Sequence, residues 1–325
     1  MKSSWAILST VLLLLGGSGF AVAEEAAVKV LRSQTYVVRD SGPLDADVFI
    51  PRGEGPFPAM LVVHGGAWRI GTRAQLTGVA QVLAEHGYTA VAISYRLAPS
   101  ATFPAQIYDC QAAVRWMRAK AKEFKIDPER IGGFGYSAGG QLVALLGTLD
   151  SNELKEPGVP ADAPSARLQC VVAGGAPCDF RELPPDSSFL AYWLGGTPAT
   201  KGDNYRNASP ANFISADDPP MFFFSGEDDV IVPISSPTQM VEALKKAGLI
   251  AEMYPVKHIG HMLAIFDPGA RDHALAFLDH YLKAGRDVKA IGGGNVGGGD
   301  APALLESSTI KTAVTPRESG SSDGQ

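Results

Sequence analysis

Apolar positions along the chain fall into two alternating rhythms. Short unbroken runs at 59–63, 90–94, 130–134, 171–173 and 221–224, with a last one near 252–254, read as strands buried on both faces. Between them, apolar residues recur at steps of three and four over 75–86 and 105–124, which predicts helices with one buried stripe each, and 141–149, 237–247 and 271–282 read as further helices. The clearest stripe is Ile107, Cys110, Val114, Met117, Ala121 and Phe124, with Arg115, Arg118, Lys120 and Lys122 off it as a solvated face. Ahead of these, 28–38 and 46–50 read as an antiparallel hairpin turning at Ser41-Gly42-Pro43. Alternation of this kind predicts an α/β domain, a mostly parallel sheet with helices on both faces. The stretches 151–167 and 177–218 carry no regular period and are expected to be excursions between elements.

The two ends differ from this pattern. Lys2, an apolar stretch over 5–20 and Ala21-Val22-Ala23 have the order of a cleavable export signal, so 1–23 is expected to be removed and the mature chain to work outside the cytoplasm, without stable membrane insertion. Residues 285–325 turn to Gly, Ser and Thr without period and are expected to form a disordered tail. That leaves 24–284 as one domain. With 46% hydrophobic residues in 325 it has ample material for a core, and a net charge of −6 without basic clusters argues against nucleic-acid binding. The chain has three cysteines, and in an exported protein that number allows one bridge. Cys110 near a helix start and Cys178 just past a strand both fall at the carboxyl end of the predicted sheet, so Cys110–Cys178 is the expected pair, with Cys170 in the core.

Candidate chemistry centres on Gly135-Tyr136-Ser137-Ala138-Gly139, set between a strand run and a helix. A Gly-x-Ser-x-Gly in that setting is a sharp turn that lifts the serine hydroxyl clear of the backbone. A hydroxyl needs a histidine to take its proton and a carboxylate to orient that histidine. Both follow in the chain order of α/β-hydrolases, Asp229 and His261, at intervals of 92 and 32 residues, each in a loop after a strand. Asp229, four residues before Pro233, is preferred to Asp228 and Glu227; His261, after Gly260, is preferred to His258. His64-Gly65-Gly66-Ala67-Trp68 follows the first parallel strand, where Gly66 and Ala67 would offer amides to an oxyanion, with Ala138 the third donor. His64 is read as holding this loop, and Trp68 as a pocket wall or simple packing. The histidines have no metal-ligand spacing and no glycine-rich phosphate loop is present, so no metal or cofactor is expected.

These segments, together with Tyr95-Arg96-Leu97-Ala98-Pro99, Phe103-Pro104-Ala105, Asp109-Cys110, Ile126-Asp127-Pro128-Glu129-Arg130-Ile131, Asp218-Pro219-Pro220 and Asp229-Val230-Ile231-Val232-Pro233, resemble the secreted α/β-hydrolase esterases of the hormone-sensitive-lipase-like clan. The likeness runs over about 28–282 and is closest to the subgroup labelled BD-FAE, or feruloyl/acetyl-xylan esterase-like. It implies a serine esterase with catalytic Ser137, Asp229 and His261, acting on short acyl esters such as acetyl or feruloyl groups, small or linked to polysaccharide. Ala67 where lipase-like members carry a third glycine, and Tyr136 where many carry Asp, point to the carbohydrate-esterase side. The short stretch between Glu24 and Val28 leaves no room for an N-terminal cap, so an open pocket is expected. A general carboxylesterase is the alternative enzyme, and a non-catalytic binding module on the same scaffold is the competing class. Oligomeric state is not encoded in any motif.

Overall fold

The computed structural model describes residues 27–149 and 153–284. Among them, β1 (Val28–Arg39), β2 (Gly42–Pro51), β3 (Phe57–Val63), β4 (Thr89–Ile93), β5 (Ile126–Tyr136), β6 (Val171–Gly174), β7 (Met221–Gly226) and β8 (Ala251–Val256) form one sheet. The strand order is β1-β2-β4-β3-β5-β6-β7-β8, with β1, β2 and β4 paired antiparallel and every pair from β4 through β3 to β8 parallel. This is the α/β-hydrolase arrangement expected above. The hairpin turns one position early, at Asp40-Ser41, because Gly42 with φ +111° already pairs with Arg39.

The unbroken apolar runs have a direct physical reason. Along β3, Ala59, Leu61 and Val63 enter the core on one face while Met60 and Val62 enter the core on the other. Helices α2 (Ala105–Ala119), α3 (Ala138–Thr148) and α6 (Ser235–Lys246) cover the first face; α1 (Thr77–Glu85) and α7 (Pro268–Leu278) cover the second. Ile107, Cys110, Val114 and Met117 on α2 are all fully buried. That helix stops at Ala119, five residues short of the predicted end, and Phe124 reaches the core from the turn that follows. Its polar side is not wholly solvated either. Arg118 donates to the Pro128 carbonyl at 3.1 Å, the Arg167 carbonyl at 2.8 Å and the Ser165 carbonyl, tying α2 to the loop at 165–167. The excursion at 177–218, whose sequence carries no regular period, contains α4 (Ala191–Leu194) and α5 (Pro198–Asn207). The first is a single turn, and the second buries only Tyr205, so neither writes a stripe into the sequence.

The expected Cys110–Cys178 bridge is not formed. Cys110, Cys170 and Cys178 are free buried thiols, and α3 packs between the helix that carries Cys110 and the end of β6 that leads to Cys178. The Cys178 thiol donates instead to the Ala176 carbonyl at 3.3 Å. Burial pushes all three thiols above their ordinary range and keeps them protonated and inert. Denatured without reductant, the protein is expected to take up three alkyl groups by intact mass; a single one would restore the bridge. No helix among the described residues is long and apolar enough to cross a membrane. The expected signal at 1–23 and tail at 285–325 lie outside the described residues.

Candidate active site

Ser137 occupies the turn from β5 into α3 with φ +56° and ψ −121°, a conformation that costs a non-glycine residue about 1–3 kcal/mol. Close packing makes the turn possible. A Cβ on Gly139 would stand 2.0 Å from the Val63 carbonyl oxygen, so only glycine lets α3 begin against the end of β3. The strained turn presents the Ser137 hydroxyl at the carboxyl end of the parallel strands.

The loops after β7 and β8 meet it there. His261 Nε2 lies 2.8 Å from Ser137 Oγ, and its Nδ1 lies 2.6 Å from Asp229 Oδ2. The other carboxylate oxygen of Asp229 accepts from the amides of Ile231 at 2.9 Å and Val232 at 2.8 Å, which fixes the carboxylate plane. The Tyr136 hydroxyl donates to the His261 carbonyl and pins the loop after β8 to the residue beside Ser137. Asp229 and His261 are buried, whereas their alternatives Asp228 and His258 are exposed in the same turns. His86 and His273 are exposed on α1 and α7 and bond only their own helices. Among the described residues no group of three or more His, Cys, Asp or Glu could hold a metal ion.

The loop after β3 is held in an unusual form. Gly66 has φ +104°, Ala67 +50° and Trp68 +57°. In a trans peptide the N–H points opposite the C=O, so fixing a carbonyl aims the next amide. His64 Nδ1 donates to the Gly65 carbonyl at 2.7 Å, which aims the Gly66 amide. The amides of Arg69 and Ile70 both hold the Gly66 carbonyl at 3.0 Å, which aims the Ala67 amide. The Ala138 amide, first in α3, has no carbonyl one turn back to bond. His64 itself is stacked on Tyr95, with centroids 4.2 Å apart, and its Nε2 is buried without a partner. Its place is therefore behind the loop, as the sequence suggested. Trp68 is both wall and packing. It lines the cleft above Ser137, stacks on Trp193 at 3.5 Å and donates from Nε1 to Gln141 at 2.9 Å.

One contributor escaped the sequence. Tyr192, on α4 of the excursion, donates its hydroxyl to the Ala67 carbonyl at 2.9 Å and lies under the Arg69 guanidinium at 5.0 Å. An aromatic residue in an aperiodic stretch gave no hint of this contact.

Burial lowers the pKa of His64 to about 4 from 6.5, against the opposing pull of its bond to the Gly65 carbonyl. As pH falls, the unfolded chain takes the proton first, so His64 supports folding fully above pH 6.5 and loses that support between 6.5 and about 4. The loss amounts to about 3 kcal/mol. Urea titrations at pH 7 and 4.5 are expected to show this drop in the wild type and a smaller one in His64→Gln; equal drops would reject it.

A cleft of about 230 Å³ opens over Ser137, walled by Trp68, Phe180, Leu183, Leu190 and Tyr192. A larger apolar groove of about 410 Å³ between α1 and α7 includes none of the three hydrogen-bonded residues. A profile of the BD-FAE family matches residues 46–244, from β2 to α6. The chain belongs to the BD-FAE family. It is similar to the probable carboxylic ester hydrolase LipM of Mycobacterium tuberculosis, 33% identical over 201 residues, which are 60% of this chain and 46% of LipM. The chain spans about half the length of the curated relatives it matches. Among solved structures, a truncated carbohydrate esterase from gut microbiota superposes with a TM-score of 0.72 at 25% identity, covering 80% of this chain and 99% of that one. The esterase Est2 of Thermogutta terrifontis gives 0.66 at 26%, covering 78% and 92%. The BD-FAE match takes in Gly66, Ala67, Ser137, Ala138 and Asp229, while His261 lies beyond its end.

Proposed function

We propose that this BD-FAE protein is a serine carboxylic-ester hydrolase of short acyl esters. The observation that carries this is the hydrogen-bonded line from Ser137 through His261 to Asp229 at the floor of the cleft. Ser137 Oγ attacks the ester carbonyl carbon while His261 Nε2 takes its proton. The carbonyl oxygen becomes an oxyanion held by the Gly66, Ala67 and Ala138 amides. Asp229 keeps the proton on His261 Nδ1 and stabilises the imidazolium. Collapse expels the alcohol, which receives the proton from His261 Nε2, and leaves the acyl group on Ser137. Water then repeats the sequence and releases the acid.

The cleft of about 230 Å³ supports a short acyl group, since sites for drug-sized ligands run to ~300–1,000 Å³. Acetyl and feruloyl esters on polysaccharides, expected from the sequence, concern both sides of the ester bond; this cleft addresses the acyl side. A fluorophosphonate is expected to label Ser137, and acetyl or butyryl p-nitrophenyl esters to exceed the palmitoyl ester by ~10-fold or more in kcat/KM. A preference for twelve carbons or longer would overturn the short-acyl reading. An unlabelled Ser137 without hydrolysis would leave a binding module. Export belongs to the same reading and is tested by an N-terminus near Glu24 in the secreted protein.

A further inference from the structure

Large apolar side chains left in water are ordinary when scattered singly over a surface. Here they gather. Of the nine exposed among the described residues, four stand on segments that line the cleft and two more directly follow His261. Ile70 follows the oxyanion loop, Phe189 belongs to the excursion, Val230 and Ile231 come directly after Asp229, and Met262 and Leu263 directly after His261. Each is between 58% and 91% exposed. Phe189 and Ile231 line the same cleft as Ser137, so this apolar rim is continuous with the reacting centre.

Direction decides what such a rim touches. Once the acyl group is in the cleft, the leaving oxygen must face His261 Nε2 to receive its proton. The alcohol then departs past the His261 and Asp229 turns, where Val230, Ile231, Met262 and Leu263 stand. A sugar there would bring hydroxyls that lose water and find no partner among aliphatic side chains, which costs affinity. An alkyl or aryl group would gain by covering them.

We infer that the alcohol side of the substrate is an uncharged alkyl or aryl group seated on this rim. The inference rests on the reading of Ser137 as nucleophile and deepens it from the acyl side to the alcohol side. A fully buried methylene is worth ~4-fold in binding and one half-covered on an open rim about 2-fold.

The test is a series of ethyl, butyl, hexyl and octyl acetates, each below its solubility limit, beside a methyl xyloside carrying a single acetyl group and its other hydroxyls free. The alcohols share one leaving-group basicity, so intrinsic reactivity is constant along the alkyl series. Wild-type kcat/KM is expected to rise ~10-fold or more from ethyl to hexyl acetate and to fall below the hexyl value for the xyloside. In Val230→Ser/Met262→Ser/Leu263→Ser the rise is expected to shrink below ~3-fold. The three side chains are exposed, and unchanged circular dichroism and Tm would show the fold kept. A flat wild-type series with p-nitrophenyl acetate still cleaved would overturn the inference and leave ester hydrolysis standing. A rise that survives the triple substitution would overturn it as well. If no ester is cleaved and Ser137 stays unlabelled, the reading beneath it fails and the inference with it.

Discussion

Ser137→Ala is expected to lower kcat on p-nitrophenyl acetate by roughly 10³- to 10⁶-fold while the fold stays intact. Alanine keeps the Cβ that this turn already accommodates at φ +56°, so the substitution removes one oxygen and little else. What it removes is the atom 2.8 Å from His261 Nε2, and with it any covalent intermediate. The amides of Gly66, Ala67 and Ala138 would remain, and their residual stabilisation sets the floor of activity. Steady-state rates beside a thermal melt make the measurement. A variant with near wild-type turnover and an unchanged melt would remove Ser137 from the mechanism.

Asp229→Asn is expected to cost about 10⁴-fold in kcat. The amide is nearly the size of the carboxylate, and one side of it can still accept from the Ile231 and Val232 amides. The group then facing His261 Nδ1 is an NH₂, which donates. Nδ1 must accept, the ring proton moves to Nε2, and the nitrogen 2.8 Å from Ser137 can no longer take its proton. Because the loss comes from the tautomer, the KM for acetyl esters is expected to change far less than kcat. A fall below tenfold would mean that Asp229 only packs the loop.

The residues legible in the sequence share a physical trait, which is that local chemistry constrains them. Met60 and Val62 had to be apolar because the strand is covered on both sides, and Gly139 had to lack a side chain because Val63 stands against it. Asp229 and His261 could be named because each follows a strand whose carboxyl end faces the elbow. Tyr192 could not. Its partner, the Ala67 carbonyl, is 125 residues away in sequence, and the turn of α4 that presents it is too short for a period. The thiols misled for a related reason. Two positions at the same end of a sheet were read as neighbours, and only the packing of α3 between them shows that they are not. Arg118 looked like one of four solvated charges because the loop it binds has no pattern of its own.

The hold of α4 on the loop after β3 has a consequence for which parts of the site can be changed separately. The same short turn that walls the cleft also fastens Ala67 through Tyr192 and stacks Trp193 on Trp68. Substitutions that reshape the excursion therefore reach the Ala67 carbonyl, and through it the backbone of the loop after β3, as well as the cleft wall. Changes confined to the outer faces of the Asp229 and His261 turns leave that anchor of Ala67 untouched.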